Sequence, residues 1–200
     1  MKVTTTTLEM RHAPTEPAPE LPDGVRVDLA TDVAPEYARF LYGLVGGPWR
    51  WTDRLGWSRQ QWLDELSVPG TEFWILYGGG VPLGYLHLQP VRQSDGIHVE
   101  IRYFGLAEQA IGHGLGGRLL AHGVQAAWSV SDRTDLPEVS RVWVHTCSLD
   151  GPAALANYQA RGLVICGVEE SDEDQPEEPL GSWASTGGPP DTATPRAPQS

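Results

Sequence analysis

Residues 97–128 constrain the fold more strongly than any other stretch, because they combine the patterns of a strand, a glycine turn and a helix. Residues 98–104 alternate with period two and are rich in β-branched and aromatic side chains, which predicts a strand. Apolar residues recur at helical spacing over 115–128 and define one apolar face. Between these two elements lie the glycines of the turn, Gly112, Gly114, Gly116 and Gly117.

A helix that opens out of a glycine-rich loop is suited to binding an anion. The first N–H groups of a helix have no partner within the helix, and the helix dipole places partial positive charge there. Glycines lack the side chains that would keep a ligand away from the backbone. We therefore predict a phosphate or pyrophosphate site at this junction, with a purely structural glycine turn as the alternative.

Two common phosphate-binding loops do not fit this one. A P-loop requires Lys and then Ser or Thr after its last glycine, whereas Gly117 is followed by Arg118 and Leu119. A dinucleotide-binding loop usually opens the first unit of its domain, whereas this loop lies past the middle of the chain.

The loop does contain the pattern Q-x-x-G-x-G, formed by Gln109, Gly112 and Gly114 and continued by Leu115 and Gly116. This pattern resembles the acyl-CoA pyrophosphate loop of the GNAT superfamily of N-acetyltransferases. The resemblance implies that acetyl-CoA is the co-substrate and that the loop binds its pyrophosphate mainly through backbone N–H groups. It implies contacts with Leu106, Gln109, Ile111, Gly112, His113, Gly114, Leu115 and Gly116.

A second segment, residues 145–163, resembles the late strand–helix–strand of the same family. Ala154, Tyr158 and Gly162 follow one another at the family's spacing. The hairpin over 72–88 also resembles the family's pattern. Some positions depart from it: His113 and Ile111 stand where basic residues are common, so the loop carries less positive charge than is usual.

The order of predicted elements is β-α-α-β-β-β-α-β-α-β over residues 25–169. This order predicts a three-layer α/β fold, resembling GNAT, in which a mixed, largely antiparallel sheet carries helices on both faces. Ser58 and Gln61 have the spacing of a capping box that begins the second helix. We expect a domain over 23–170, an N-terminal segment without fixed structure over 1–22, and a disordered acidic and Pro/Gly-rich tail over 171–200.

Two residues are candidates for proton transfer. Glu100 lies on the central strand, where we expect it to share a face with Arg102, opposite Val99, Ile101 and Tyr103. The resemblance implies that Glu100 is the base, directly or through water, with a structural Glu100–Arg102 pair as the alternative. The resemblance implies that Tyr158 is the acid that protonates the leaving thiolate, with an ordinary core aromatic as the alternative.

The resemblance also implies that Leu106 directs its backbone N–H at the thioester oxygen and that the tryptophan-rich region lines the acceptor pocket. We predict Trp51, Trp57 and Tyr85 as substrate contacts. His145 and Cys147 end a later strand and are interpreted as structural residues rather than as a Cys–His acyltransferase site. No histidine pair at helical spacing points to a metal site.

The net charge of −12 is concentrated in the acidic run over 169–178. The rest has no basic stripe, which disfavours nucleic acid as a partner, and no apolar run is long enough to cross a membrane. Two cysteines without a CxxC pair suit a reducing cytoplasm. Paired exposed strands leave a homodimer open.

These patterns favour acetyl transfer from acetyl-CoA to a primary amine of a small molecule, peptide or protein, by direct attack in a ternary complex and without a metal. A non-catalytic module that binds acyl-CoA is the first alternative. An interaction domain that keeps the fold without binding CoA is the second.

Overall fold

The central strands carry apolar side chains on both of their faces, and helices cover both faces. The computed structural model describes residues 1–189. Its strands are β1 (Lys2–Met10), β2 (Val25–Ala30), β3 (Glu72–Gly78), β4 (Val81–Gln93), β5 (Gly96–Leu106), β6 (Val139–Cys147) and β7 (Val164–Asp172). Its α-helices are α1 (Pro35–Gly46), α2 (Arg59–Leu66), α3 (Leu115–Trp128), α4 (Ala154–Gln159) and α5 (Gly181–Ser185). Short 3₁₀ turns lie at Gly47–Trp49, Glu108–Ala110 and Val130–Asp132.

The seven strands form one sheet in the order β2-β3-β4-β5-β6-β1-β7. Every neighbouring pair is antiparallel except β5 and β6, which run parallel. The predicted fold class is therefore confirmed, and the predicted element order holds from β2 to β7. Ser58 and Gln61 form the predicted capping box at the start of α2.

The two faces of the sheet carry separate cores. On one face the buried residues of α3, including Leu119 and Leu120, pack against apolar side chains of the central strands such as Leu86 and Val99. On the other face Leu41 of α1 and Trp62 of α2 pack against residues of β3 and β4. Because successive residues of a strand point to opposite faces, each central strand contributes to both cores.

A β-bulge in β5 changes the expected facing of one residue. Ile101 pairs with Leu88 and Tyr103 pairs with His87, so Arg102 is an extra residue without a partner on β4. The prediction that Tyr103 lies on the same face as Ile101 is wrong, because the bulge moves Tyr103 to the α1–α2 side. Arg102 and Tyr103 consequently both reach the same side of the sheet.

The N-terminal segment is more ordered than its composition predicts. Residues 1–22 were expected to lack fixed structure, but Lys2–Met10 forms β1 and pairs with both β6 and β7. Val3 and Leu8 of this strand are buried. The strand signal is weak because four consecutive threonines replace the usual apolar alternation, and only the neighbouring strands supply its partners.

The expected disordered tail over 171–200 is also wrong for the residues that the structure describes. β7 continues to Asp172, and α5 packs against α1. Gly43 and Gly47 allow this close approach, since a β-carbon at either position would lie 2.5 Å from a backbone oxygen of the α5 segment. Residues 190–200 lie outside the described residues. Between residues 1 and 189, the helices are all too short or too polar to cross a bilayer.

Replacing Leu8 with alanine tests whether β1 is an integral strand. Leu8 is fully buried in the α3-side core, so Leu8→Ala should lower the free energy of unfolding by about 2–5 kcal/mol in chemical denaturation. Thr6→Ala, in the same strand at a partly exposed position, should cost less than about 1 kcal/mol. Equal and small effects of the two changes would contradict a structural role for β1.

Candidate active site

The sheet splits between β5 and β6. The two parallel strands pair from Ile97↔Val139 to Glu100↔Trp143 and then separate. Beyond this point β6 continues to pair with β1, and β5 continues to pair with β4. The remaining part of β5 therefore presents an unpaired backbone edge to the gap between the strands.

A cavity of about 350 Å³ lies at this split. Its aromatic wall comes from the α1–α2 connection and from β5, and consists of Trp49, Trp51, Tyr103 and Phe104. Its polar wall includes Arg102 of β5 and His145 of β6. The cavity thus joins the edge of the unpaired strand to a set of polar and aromatic side chains.

The backbone N–H of Leu106 points into the split. Ala107 donates its N–H to the carbonyl of Leu83 on β4, at 2.9 Å. Successive N–H groups of a strand point to opposite edges, so that of Leu106 points away from β4 and toward the side that β6 has left. This is the position that the sequence predicts for polarising a carbonyl oxygen.

The glycine loop lies at the start of α3 with its backbone open. Gly112 and Gly114 have φ angles of 85° and 71°, and Gly114 is the N-cap residue of α3. A β-carbon at either position would meet no atom within 4 Å. Gln109, Ile111 and His113 are exposed around them. An open, left-handed glycine backbone at a helix N-terminus fits a pyrophosphate group, because nothing shields its N–H groups.

Arg161 is a basic residue near the loop that the sequence patterns did not indicate. Its Nε donates to the carbonyl of Gly117 in the first turns of α3, at 2.9 Å. A side chain at position 117 would collide with the Arg161 guanidinium. Only the packing of α4 against α3 brings this charge to the loop, so no local motif could reveal it.

A chain of buried charges runs from the cavity into the α1–α2 side of the domain. Glu65 of α2 accepts hydrogen bonds from Arg54 at 2.9 Å and from Arg102 at 2.5 Å. Arg102 in turn donates to Glu100 at 3.0 Å. Burial by itself would lower the pKa of Arg102, but the carboxylates of Glu100 and Glu65 raise it. The guanidinium is therefore held between two carboxylates as a permanent charge.

The structure places Glu100 at the split but beneath the cavity surface. Its residue is only 4% exposed, and one carboxylate oxygen is bonded to Arg102. The other oxygen lies 3.4 Å from Nδ1 of His145. Both the proposed acid–base role and the alternative Glu100–Arg102 pair thus have a geometric basis.

Tyr158 lies on α4 behind Phe104, and its ring meets that of Phe104 edge to face at a centroid distance of 5.8 Å. It is buried and is not part of the cavity wall. Burial, with a smaller contribution from Asp150, raises the pKa of Tyr158 well above its usual range. The hydroxyl therefore remains a neutral donor at all physiological pH values.

The three predicted substrate contacts separate into different environments. Trp51 lines the cavity. Trp57 instead packs edge to face on Trp62, and Tyr85 is fully buried against Phe73. Both rings pack in the core between the sheet and the first two helices and do not line this cavity, so substrate contact by Trp57 and Tyr85 stays a prediction.

His145 lies on the cavity wall, although the sequence favoured a structural role for it. Its side chain is 49% exposed. Cys147, two residues further on, is a poor nucleophile because burial and then the charge of Asp150 raise the pKa of its thiol. His145 lies where β6 has separated from β5. The residues around position 145 do not indicate this separation.

The segment after β7 contributes to the same cavity. Glu173 and Gln175 line it, and Arg50 donates to the backbone carbonyls of Pro176 and Glu177 at 3.1 and 2.7 Å. The cavity lining therefore carries three acidic side chains, Asp53, Asp150 and Glu173, and two basic ones, Arg50 and Arg102. Over residues 1–189, no three His, Cys, Asp or Glu side chains are grouped so that they could hold a metal ion.

The model of the acetyltransferase (GNAT) family matches residues 31–163. That span covers more than half of the chain, and the fold and the split sheet agree with it. The chain therefore belongs to the GNAT acetyltransferase family. No curated protein matches its sequence.

Solved structures share this fold at low sequence identity. A GCN5-related N-acetyltransferase from Sphaerobacter thermophilus is 15% identical, with a TM-score of 0.53 over 85% of this chain and 51% of that one. A second from Kribbella flavida is 16% identical, with a TM-score of 0.53 over 81% of this chain and 54% of that one. An aminoglycoside acetyltransferase from an uncultured soil metagenomic sample is 14% identical, with a TM-score of 0.55 over 72% of this chain and 90% of that one. The chain spans about half the length of the first two.

The pH dependence of the free energy of unfolding tests whether His87 is buried as a neutral imidazole. Burial, together with the positive charges of Arg102 and Arg54, lowers the pKa of His87 to about 3. The unfolded chain binds a proton at this residue near pH 6.5, whereas the folded chain does not, so the wild type should lose stability as the pH falls below that value. Between about pH 6.5 and about pH 4.5 the wild type should lose about 2 kcal/mol more than His87→Phe in urea denaturation.

The exposed His12 is a matched control for this experiment. His12→Gln should show the pH dependence of the wild type, since this side chain lies outside the buried environment of His87. Parallel stability curves for the wild type and His87→Phe would contradict the buried, neutral state of His87.

Proposed function

We propose that the chain transfers an acetyl group from acetyl-CoA to a primary amine of a small molecule, peptide or protein, by direct attack in a ternary complex. The observation that carries this proposal is the split between β5 and β6. An open glycine loop lies on one side of the split, and a cavity lined by polar side chains lies on the other. Such an arrangement holds a thioester and an amine side by side, which removes much of the entropic barrier to their reaction.

The glycine loop and Arg161 would bind the pyrophosphate, and the unpaired edge of β5 would bind the extended arm that carries the thioester. The N–H of Leu106 would then donate to the thioester oxygen as negative charge develops on it. A fixed N–H at that position stabilises the tetrahedral intermediate without reorganisation.

Glu100 and Tyr158 would complete the proton transfers. The carboxylate of Glu100 would draw the proton from the attacking amine, directly or through water. Tyr158, which is neutral and sits behind Phe104, would protonate the thiolate that leaves.

The cavity favours a positively charged acceptor. Asp53, Asp150 and Glu173 line it alongside Trp49 and Trp51. Carboxylates attract an ammonium group, and aromatic faces bind cations or stack on rings. The aminoglycoside acetyltransferase that shares this fold is named for an amine-bearing substrate class, which is consistent with such an acceptor.

A non-catalytic module that binds acyl-CoA is the second candidate function. It is favoured by the burial of both Glu100 and Tyr158 away from the cavity wall. This alternative predicts binding of acetyl-CoA without turnover of any amine, so the two functions separate in one assay.

Changing Gly114 to aspartate tests the glycine loop. Gly114→Asp adds a negative charge and a strained side chain where the pyrophosphate would lie, so the affinity for acetyl-CoA should fall at least about tenfold in isothermal titration. Gly79→Asp is the matched control, since Gly79 in the β3–β4 turn also has positive φ and open space around it. Binding that survives Gly114→Asp unchanged, or a wild type that does not bind, would contradict the proposal.

Removing the hydroxyl of Tyr158 tests its role as the acid. Tyr158→Phe keeps the ring against Phe104, so the affinity for acetyl-CoA and the melting temperature should change little. The turnover number should fall by roughly 10²-fold, as expected when one positioned acid is lost. A turnover number within about twofold of the wild type would show that Tyr158 is a core aromatic and nothing more.

A further inference from the structure

We propose that the imidazole of His145 is the group that takes the proton from the amine, and that Glu100 is a positioning residue that orients and stabilises this imidazole. This inference rests on the proposed acetyl transfer and names the side chain that touches the acceptor. It reverses the sequence-based interpretation, in which Glu100 is the base and His145 is structural.

Access to the cavity distinguishes the two residues. His145 lines the cavity and its side chain is 49% exposed, whereas the side chain of Glu100 is 6% exposed and does not line it. An amine bound in the cavity can contact the imidazole directly, but it would have to displace either His145 or Arg102 to reach the Glu100 carboxylate. A base must lie within hydrogen-bond reach of the proton that it accepts.

The two side chains are arranged as a base and its orienting carboxylate. Nδ1 of His145 lies 3.4 Å from one oxygen of Glu100, slightly beyond hydrogen-bond distance, and such pairs often tighten when substrate binds. A carboxylate beside Nδ1 favours the tautomer with the proton on Nδ1. The lone pair of Nε2, on the other side of the ring, is then free to accept a proton.

Glu100 is itself held in place on its second oxygen. Arg102 donates to that oxygen at 3.0 Å while also donating to Glu65, so the carboxylate has a fixed orientation. The four side chains therefore contact one another in the order Glu65, Arg102, Glu100 and His145, and His145 lies at the cavity surface. A carboxylate placed in this way stabilises the imidazolium that forms when His145 accepts a proton.

The other titratable groups of the cavity are less suited to the role. Asp150 accepts hydrogen bonds from Thr146 and from the N–H of Cys147, and Asp53 accepts one from Tyr42. Burial raises the pKa of Tyr103, which keeps its hydroxyl neutral. The titratable and charged groups that face the cavity with His145 are Arg50, Asp53, Arg102, Tyr103, Cys147, Asp150 and Glu173.

The proton transfers balance without any further reactant. The amine nitrogen forms a bond to the thioester carbon, and Nε2 of His145 takes the proton that the nitrogen then loses. The carbon–sulfur bond breaks, and the leaving thiolate takes a proton from Tyr158. The imidazolium gives its proton up to solvent and the tyrosinate regains one from solvent, so an amide and a free thiol are formed and both residues are restored.

The test compares pH profiles of kcat/KM for the full chain with acetyl-CoA and a panel of primary amines that contains spermidine, tryptamine and a short peptide with a free N-terminus. His145→Gln should lower kcat/KM by roughly 10²-fold or more and abolish the fall in rate on the acid side of the profile. Its affinity for acetyl-CoA in isothermal titration should stay within about twofold of the wild type. Glu100→Gln should lower the rate but keep the acid-side fall, because the imidazole remains while the carboxylate that orients it is lost.

Two controls separate catalysis from structure. His12→Gln, at an exposed position remote from the cavity, should leave both the rate and the profile unchanged. His145→Ala should regain activity with added imidazole, whereas a residue with a purely structural role would not be rescued by a free base. A folded His145→Gln variant that keeps kcat/KM within about threefold of the wild type, with its acid-side fall intact, would overturn the inference.

The inference and the proposed function fail in different ways. If the wild type turns over an amine and His145→Gln does so equally well, the role proposed for His145 is refuted alone. The role of base then returns to Glu100. If the wild type binds acetyl-CoA but turns over no amine in the panel, acetyl transfer is refuted, and the role proposed for His145 is refuted with it.

Discussion

The structure depends on the point at which β5 and β6 stop pairing. Up to Glu100 and Trp143 the two strands share backbone hydrogen bonds, and beyond them each strand pairs only with its other neighbour. A sheet edge left open in this way presents N–H and C=O groups that no neighbouring strand uses. It is at this edge that we propose an extended ligand pairs. Three features of the candidate site lie around this edge: the glycine loop, the N–H of Leu106 and the ring of His145.

The bulge at Arg102 and the buried charges determine which side chains lie beside this split in the sheet. Because the extra residue sits in β5, Arg102 and Tyr103 both reach the α1–α2 side, where Arg102 bridges Glu65 and Glu100. Buried ion pairs contribute little net stability, since desolvation offsets much of their attraction. Their value here is geometric, because Arg102, which is also bonded to Glu65, holds one oxygen of Glu100 and leaves the other beside His145. Stability comes instead from the two apolar cores on either side of the sheet.

Features with a local cause were predictable from sequence, and features with a long-range cause were not. The glycine loop, the capping box of Ser58 and Gln61, and the order of elements from β2 to β7 follow from spacing and turn chemistry along neighbouring residues. The strand β1 could not be predicted, because its threonines become a strand only when β6 and β7 flank them. The exposure of His145, the burial of Trp57 and Tyr85, and the approach of Arg161 to the loop likewise depend on residues far away in the chain. The bulge at Arg102 shows how one extra residue reverses an alternation that is otherwise easy to follow.

The position of β1 between β6 and β7 also bears on how the domain assembles. β1 has both of its partners near the other end of the domain, with Thr5 opposite Cys147 and Glu169. Contacts between residues so far apart in the chain form slowly, because a long loop must close before any pairing compensates for it. The β3–β5 meander can form from strands that follow one another directly, whereas β6, which carries His145, acquires its outer neighbour only when β1 pairs with it. Completion of the cavity wall is therefore coupled to closure of the whole domain.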